Sequence, residues 1–275
     1  MIKIVALTEN ATCSKEYEKR HGLCLYVKTQ KHRILFDVGP DGAFVGNAEK
    51  LGIDLKEVDT LVISHGHKDH AGGLKAFLEI NENAKIYLRK SATTPHYIKV
   101  LGIPFSVGLD NSLVRGERFV FTDKVTVIDD ELTVFSKVSA NSPLPKSDSK
   151  LFAGNGGKLE LDDFSHEQNL LINSCGKTVL LSGCSHAGIV NIVSRAKEII
   201  GKYPDVAIGG FHLYNPPTKK YESDEYIKSV ANALENVGTK FYTCHCTGEK
   251  AYEKMKSVLG EKLSYLRTGE EAEVV

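Results

Sequence analysis

The stretch LVISHGHKDHAGGL, residues 61–74, places three histidines and an aspartate within six consecutive positions: His65, His67, Asp69 and His70. The leading LVIS reads as a buried strand that ends at Ser64. Side chains on a tight loop at a strand end can converge in a way that strand alternation forbids. Neutral imidazoles with one carboxylate form a borderline-soft donor set that suits zinc, with iron or manganese also compatible. Ala71, Gly72 and Gly73 then let backbone pass close to the loop before a helix begins. The ordinary alternative is a His-rich surface loop, but four candidate ligands at one strand tip argue for a metal centre instead.

Around this loop the 275-residue chain is long enough to bury a sizeable core. Lys plus Arg and Asp plus Glu both total 35. That balance predicts no broad electrostatic footprint, and hence no nucleic-acid partner. No segment approaches the roughly 20 apolar residues of a membrane span, and MIKIVALTEN makes a poor signal peptide. A soluble, cytoplasmic protein with no membrane partner is expected. The six cysteines are sparse for the length and read as free thiols.

Short aliphatic runs predict strands at 3–7, 24–29, 32–39, 60–66, 84–89, 124–129, 131–138, 169–174, 177–183, 205–210 and 240–245. Alternation in LYVKT and LTVFSKV suggests half-exposed strands, whereas LVIS and VLLSG read as buried on both faces. Helical spacing covers 71–80, 189–202, 224–238 and 251–260. With no composition break and no repeat, a single domain over 1–275 is expected. Residues 141–159, rich in Pro, Ser, Gly and Lys, read as a long loop excursion, either a surface segment or a lid.

Three later motifs repeat the order of apolar strand, polar tip and turn. VLLSGCSHAGIVN (179–191) carries Cys184 and His186, GGFHLYNPP (209–217) carries His212, and TCHCTGEKA (243–251) carries His245. Ligands from the carboxyl ends of neighbouring strands meet at one sheet edge. Cys184 can equally be a small buried apolar residue. His166, before a strand in DFSHEQNLL, is a reserve ligand or a cap, and Cys244 and Cys246 should face away from His245 into the core.

His65-Gly66-His67-Lys68-Asp69-His70 resembles the HxHxDH signature of the metallo-β-lactamase superfamily. The resemblance implies an αββα sandwich of two mixed β-sheets flanked by helices. It implies that His65 and His67 serve one metal, and that Asp69 and His70 serve a second. His245 matches the last histidine of the pattern. Cys184 stands where the superfamily usually has a bridging Asp, although one lactamase branch uses Cys. Asp37 in ILFDVG, otherwise a turn residue before Gly39, matches a carboxylate that supports the metal loop.

The expected metal set is therefore His65, His67, Asp69, His70, His186 and His245, holding one or two Zn2+ ions. KRHGLCLYVKT, the Asn47 stretch, GCSHAGIVNIV, GGFHL and CHCTG further resemble a dihydropterin-ribofuranosylaminobenzene phosphate synthase-like subgroup.

These readings imply a metal-dependent hydrolase acting on a small-molecule ester, lactone or phosphoester, with Asp69 and His212 as catalytic residues. Tyr214 is a weaker candidate. The subgroup resemblance implies an alternative, a methanopterin-type pterin transfer with a pyrophosphate leaving group. A phosphorylated substrate could then meet Lys146, Lys150 and Lys158, which otherwise read as a solvated face. A nuclease would want a basic channel. A diiron redox relative carries Glu where His67 stands, together with a flavin domain, and this chain has neither. A non-catalytic metal-binding module is the remaining class.

Overall fold

The computed structural model describes residues 2–156 and 158–274. The apolar runs assemble into two seven-stranded mixed sheets. The first, in spatial order, comprises Glu271–Ala272, Lys3–Thr8, Cys24–Lys28, Arg33–Phe36, Thr60–Val62, Lys85–Arg89 and Phe119–Thr122. The second comprises Leu263–Tyr265, Lys240–Thr243, Val206–Gly209, Lys177–Leu181, Gln168–Ser174, Leu132–Ser136 and Val125–Val127.

Inner-face residues of the two sheets, among them Ile4, Leu25, Ile34 and Val62 against Val134, Leu170, Val179 and Ile208, form one buried layer. Helices Ala43–Lys50 and Leu74–Ile80 cover the outer face of the first sheet, packing Phe44, Leu74 and Phe77 on Leu35, Leu61 and Ile86. Helices Ile189–Ile200, Asp224–Glu235 and Glu249–Leu259 cover the second, with Ile192, Ile227 and Met255 on Leu180, Ala207 and Phe241. The architecture is the expected αββα sandwich. Each fully buried Leu, Ile or Phe contributes roughly 1.5–3 kcal/mol, and these three layers form the frame on which the site is mounted.

Several local expectations change. Cys24–Lys28 buries everything but Lys28, and Leu132–Ser136 leaves only Thr133 partly exposed. Both strands lie inside their sheets with cover on each face, so their alternation reports two cores rather than core and solvent. Helix Ala43–Lys50 escapes the sequence reading because AFVGNAEK has a central Gly and no side-chain cap.

The excursion at 141–159 is largely structured. Lys146–Lys150 forms a 3-10 turn, and Leu151–Asn155 pairs with Lys158–Leu161 as a hairpin, Gly157 lying outside the described residues. That hairpin joins His96–Val100 and Ile103–Ser106 in a small four-stranded antiparallel sheet. Its polar, Gly-rich composition hides strands whose partners lie about fifty residues upstream.

The parallel strands run in register, Arg33–Phe36 beside Thr60–Val62 in one sheet and Lys177–Leu181 beside Val206–Gly209 and Lys240–Thr243 in the other. Their carboxyl ends open on the same edge of the sandwich. Every predicted site motif sits on that edge.

Candidate metal centre

Five strand ends deliver the site: Asp37 after Phe36, the 64–70 loop after Val62, Cys184 and His186 after Leu181, His212 after Gly209, and His245 after Thr243. Asp37, Ser185, His212 and His245 all adopt positive φ, from 50° to 61°. Non-glycine residues rarely do so, and such strain gathers where a side chain must be aimed. Close approach fixes the neighbouring glycines. A β-carbon on Gly73 would lie 2.1 Å from the Val38 carbonyl oxygen, and one on Gly183 2.3 Å from Ser64 Oγ.

The ring tautomers follow from their acceptors. Ser64 Oγ donates to Asp37 Oδ2 (2.7 Å), so the His65 Nδ1–H donates to Ser64 Oγ (2.8 Å). The His70 Nδ1–H donates to Asp37 Oδ2 at 2.6 Å. The His186 Nδ1–H donates to Asp148 Oδ1 (2.7 Å) and the His245 Nδ1–H to Asn10 Oδ1 (2.9 Å). Four imidazoles thus have Nδ1 tied to an acceptor, which leaves Nε2 as the nitrogen that a cation would take, displacing a proton wherever the ring is charged. Asp37, reached from ILFDVG, orients His70 directly and His65 through Ser64, which is how carboxylates near metal sites fix their ligands.

The Nε2 atoms converge. That of His70 lies 3.1 Å from Cys184 Sγ and 3.2 Å from His245 Nε2, and His245 Nε2 lies 3.3 Å from Asp69 Oδ2. Candidate ligand atoms of Asp69, His70, Cys184 and His245 lie within 4.8 Å of one another, as do those of His65, His67 and His186. Nε2 of His65, His67 and His186 is buried with no hydrogen-bond partner. Orphaned buried acceptors of this kind are costly unless something occupies them. Nitrogen and sulfur donors in two adjoining sets fit zinc. Burial raises the Asp69 carboxyl, yet the surrounding His70 and His245 rings outweigh it and hold the pKa well below the usual carboxylate range. For His70, burial favours the neutral ring, but Asp37 and Asp69 push its pKa up to about 9.

All six expected metal residues thus share one cluster, and the seventh neighbour, Cys184, belongs to it by distance. His212 joins from the side. Its Nε2 is 3.0 Å from Asp148 Oδ1, and ligand atoms of Cys184, His186 and His212 again lie within 4.8 Å. Burial disfavours the His212 imidazolium, but Asp148 holds its pKa well above the ordinary 6.5. Tyr214 stands apart, its ring packed on Tyr221 with centroids 4.6 Å apart.

His166 is differently placed. The Gly66 N–H donates to its Nδ1 at 3.0 Å, so the proton sits on Nε2, which donates to Asp162 Oδ2 at 3.2 Å. Both nitrogens are engaged, and no lone pair remains for a cation. Asp162 Oδ2 also accepts the His96 Nδ1–H at 2.9 Å. Burial pushes the Asp162 carboxyl up, but the bonds from His166 and His96 hold it far below the carboxylate range. Cys246 departs from expectation too. His245 opens a 3-10 turn with φ of 50°, which breaks strand alternation, so Cys244 enters the central core while Cys246 lines the pocket.

Sequence reasoning missed Asn10, Asp148, His96 and Asp162. It also missed Glu9, which accepts the His245 N–H at 3.1 Å and whose carboxyl burial raises to about 7. Glu167 takes the His186 and Ala187 N–H groups on its two oxygens. These residues sit alone among ordinary neighbours; only the crowded EN and DD pairs at 9–10 and 162–163 offer a signal. A pocket of about 380 Å3 opens over the cluster, lined by His21 and Lys68 on one side and by Ile98, Leu151 and Pro216 on the other. Cys13, Cys24, Cys184, Cys244 and Cys246 form no disulfide among the described residues, in which no helix is long and apolar enough to cross a membrane.

A family model described as Metallo-beta-lactamase superfamily matches residues 17–139, which include the His65–His70 loop but stop short of Cys184, His186 and His245. The 7,8-dihydropterin-6-methyl-4-(beta-D-ribofuranosyl)-aminobenzene-5'-phosphate synthase of Methanocaldococcus jannaschii is 29% identical, over 98% of this chain and 95% of its own length. The crystal structure of Tm1679, a metal-dependent hydrolase of the beta-lactamase superfamily, is also 29% identical, with a TM-score of 0.85 over 100% of this chain and 99% of that one. Zn(2+)-bound PqqB from Methylobacterium extorquens shares the fold, with a TM-score of 0.60 at 12% identity and full coverage of both chains.

Proposed function

We propose that this chain, which matches a Metallo-beta-lactamase superfamily model over residues 17–139 and resembles a metal-dependent hydrolase of that superfamily along its whole length, is a metal-dependent hydrolase of small-molecule esters, lactones or phosphoesters. The observation that carries this reading is the set of four imidazoles locked through Nδ1, with Nε2 turned toward one cluster beside Asp69 and Cys184. His65, His67 and His186 would hold one zinc ion, and Asp69, His70, Cys184 and His245 a second. A divalent cation there supplies a Lewis acid and brings the pKa of water from near 16 toward about 7.

The chain's own groups do the rest. Asp69 stays ionised and can accept and orient a proton of the attacking water at Oδ2. His212, kept protonated by Asp148, is the donor for the leaving oxygen. Lys68 at the pocket wall suits a substrate with negative charge.

A second reading draws on the 29% identity to the M. jannaschii synthase. In that reading the same cluster activates a pyrophosphate leaving group, and a pterin is transferred to an aminobenzene acceptor. One experiment separates the two. Zinc content and turnover are measured for the wild type and the His67→Ala/Asp69→Ala variant, against a panel of aryl esters, lactones and phosphodiesters. A dihydropterin pyrophosphate with an aminobenzoate acceptor is tested in parallel. Metal-dependent hydrolysis lost in the double variant supports the hydrolase. Pterin transfer without hydrolysis overturns it, and unchanged zinc content in the variant overturns both.

A further inference from the structure

One face of the small four-stranded sheet runs out from the pocket as an apolar strip. Residues directly opposite on paired strands share a face. The register sets Leu151 opposite Ile98, Ile98 opposite Phe105, and Val100 opposite Ile103. Ile98 and Leu151 line the catalytic pocket. Beyond them, Val100, Ile103 and Phe105 stand 42%, 59% and 52% exposed, and Leu101 at the hairpin tip 98%. Four of the nine exposed large hydrophobics among the described residues therefore fall within residues 100–105, a patch rather than scatter.

Leu101 and Gly102 occupy the two left-handed turn positions, with φ of 51° and 82°. Asparagine or glycine is the unstrained choice at the first of these, so leucine stands there against local preference. On the opposite face of the same sheet the Lys99 ammonium covers the Phe152 ring at 4.0 Å. No such cover lies over Phe105 among the described residues.

We infer that this strip is a binding subsite for an extended apolar arm of the substrate, an acyl chain in the simplest case, whose reacting group sits at the histidine cluster. The inference rests on the hydrolase reading and narrows it to amphiphilic substrates. Continuity commits the strip to the substrate rather than to another macromolecule, because Ile98 and Leu151 belong to both pocket and strip. At about 3.4 Å per residue, Val100 lies about 7 Å beyond Ile98 along the strand. A chain long enough to pass Ile98 therefore meets the strip, and a shorter one does not.

The test reads binding rather than turnover. Acetate, hexanoate, octanoate and decanoate are titrated calorimetrically into the zinc-loaded full-length protein. Affinity should rise roughly two- to fourfold per methylene once the chain passes the pocket. The rise should vanish in Ile103→Ser/Phe105→Ser, while acetate binding is unchanged. Leu161→Ser, on the other face of the same sheet, should keep the rise and so control for disturbed folding. Affinity independent of chain length overturns the inference, as does a rise that survives the double variant. Sedimentation showing a dimer that the double variant dissolves overturns it in favour of a second copy of the chain. Because carboxylates are not hydrolysed, failure of the hydrolase reading would leave the slope standing, and failure of this inference would leave hydrolysis standing.

Discussion

Replacing Asp162 by asparagine should loosen metal without removing any ligand. Asp162 Oδ2 accepts from His96 Nδ1 (2.9 Å) and His166 Nε2 (3.2 Å), and His166 in turn accepts the Gly66 N–H within the metal loop. Asp162 uses both oxygens, Oδ1 accepting the Phe164 N–H at 2.8 Å, whereas asparagine keeps only one acceptor. Its NH2 must therefore face either the two ring N–H groups or the Phe164 N–H. In either orientation the support behind the Gly66 clamp is weakened, and His65 and His67 flank that residue. Hydrogen bonds to a charged group are worth about 1.5–3 kcal/mol each, but much of that loss is shared with stability. Losing a group that orients metal ligands from behind typically costs about 10–100-fold in metal affinity, equivalent to roughly 1.4–2.7 kcal/mol.

The assay is competition between the zinc-loaded protein and a chromophoric chelator, with cobalt absorption as a check on coordination. The expected result is a 10–100-fold weaker affinity with an unchanged cobalt spectrum. An affinity within about twofold of wild type refutes the clamp argument. A spectrum showing one nitrogen ligand fewer refutes the assignment of the His166 proton.

Three further outcomes are expected. Cys184→Ser in the cobalt-substituted protein should abolish the near-ultraviolet thiolate charge-transfer band; its persistence would move the sulfur ligand to Cys246. Gly183→Ala should lower the urea midpoint, because the added carbon would meet Ser64 Oγ at 2.3 Å. Overpacking of that kind costs about 1–3 kcal/mol, and an unchanged midpoint would refute it. His32 sits between Asp59 (2.8 Å) and Asp129 (2.6 Å), far from the metal cluster. Burial opposes its charge, but the two carboxylates raise its pKa above the ordinary 6.5. A raised folded-state pKa stabilises fully below 6.5 and is lost as pH climbs through the higher value, so the stability gap to His32→Gln should close between neutral and alkaline pH. A gap that widened there would be inconsistent with the assignment.

What was legible in the chain is what is written locally. The crowded 65–70 loop, the Asp at the end of ILFDVG, and the polar tips at 184–186, 212 and 245 each announce themselves against an apolar strand. Long-range partners do not. Asn10 meets His245 across 235 positions, and Asp162 meets His96 across 66; each is a lone polar residue in a polar stretch. Asp148 sits amid lysines and serines that look like solvent-facing decoration, yet it carries both His186 and His212. Tautomer logic, invisible in one dimension, separates His166 from its neighbours. The small sheet went unseen because its strands are short, partly exposed and paired with residues far away, so no single period marks them.

The contact between His245 and Asn10 has a bearing on biosynthesis. The amino-terminal strand leaves the ribosome first, yet the carbonyl that aims the last imidazole must wait for residue 245 to emerge. A growing chain therefore exposes the histidines of its first half as an unfinished chelate through most of translation. A cation captured by that half alone would lack Cys184, His186 and His245, which only the later strands bring to it.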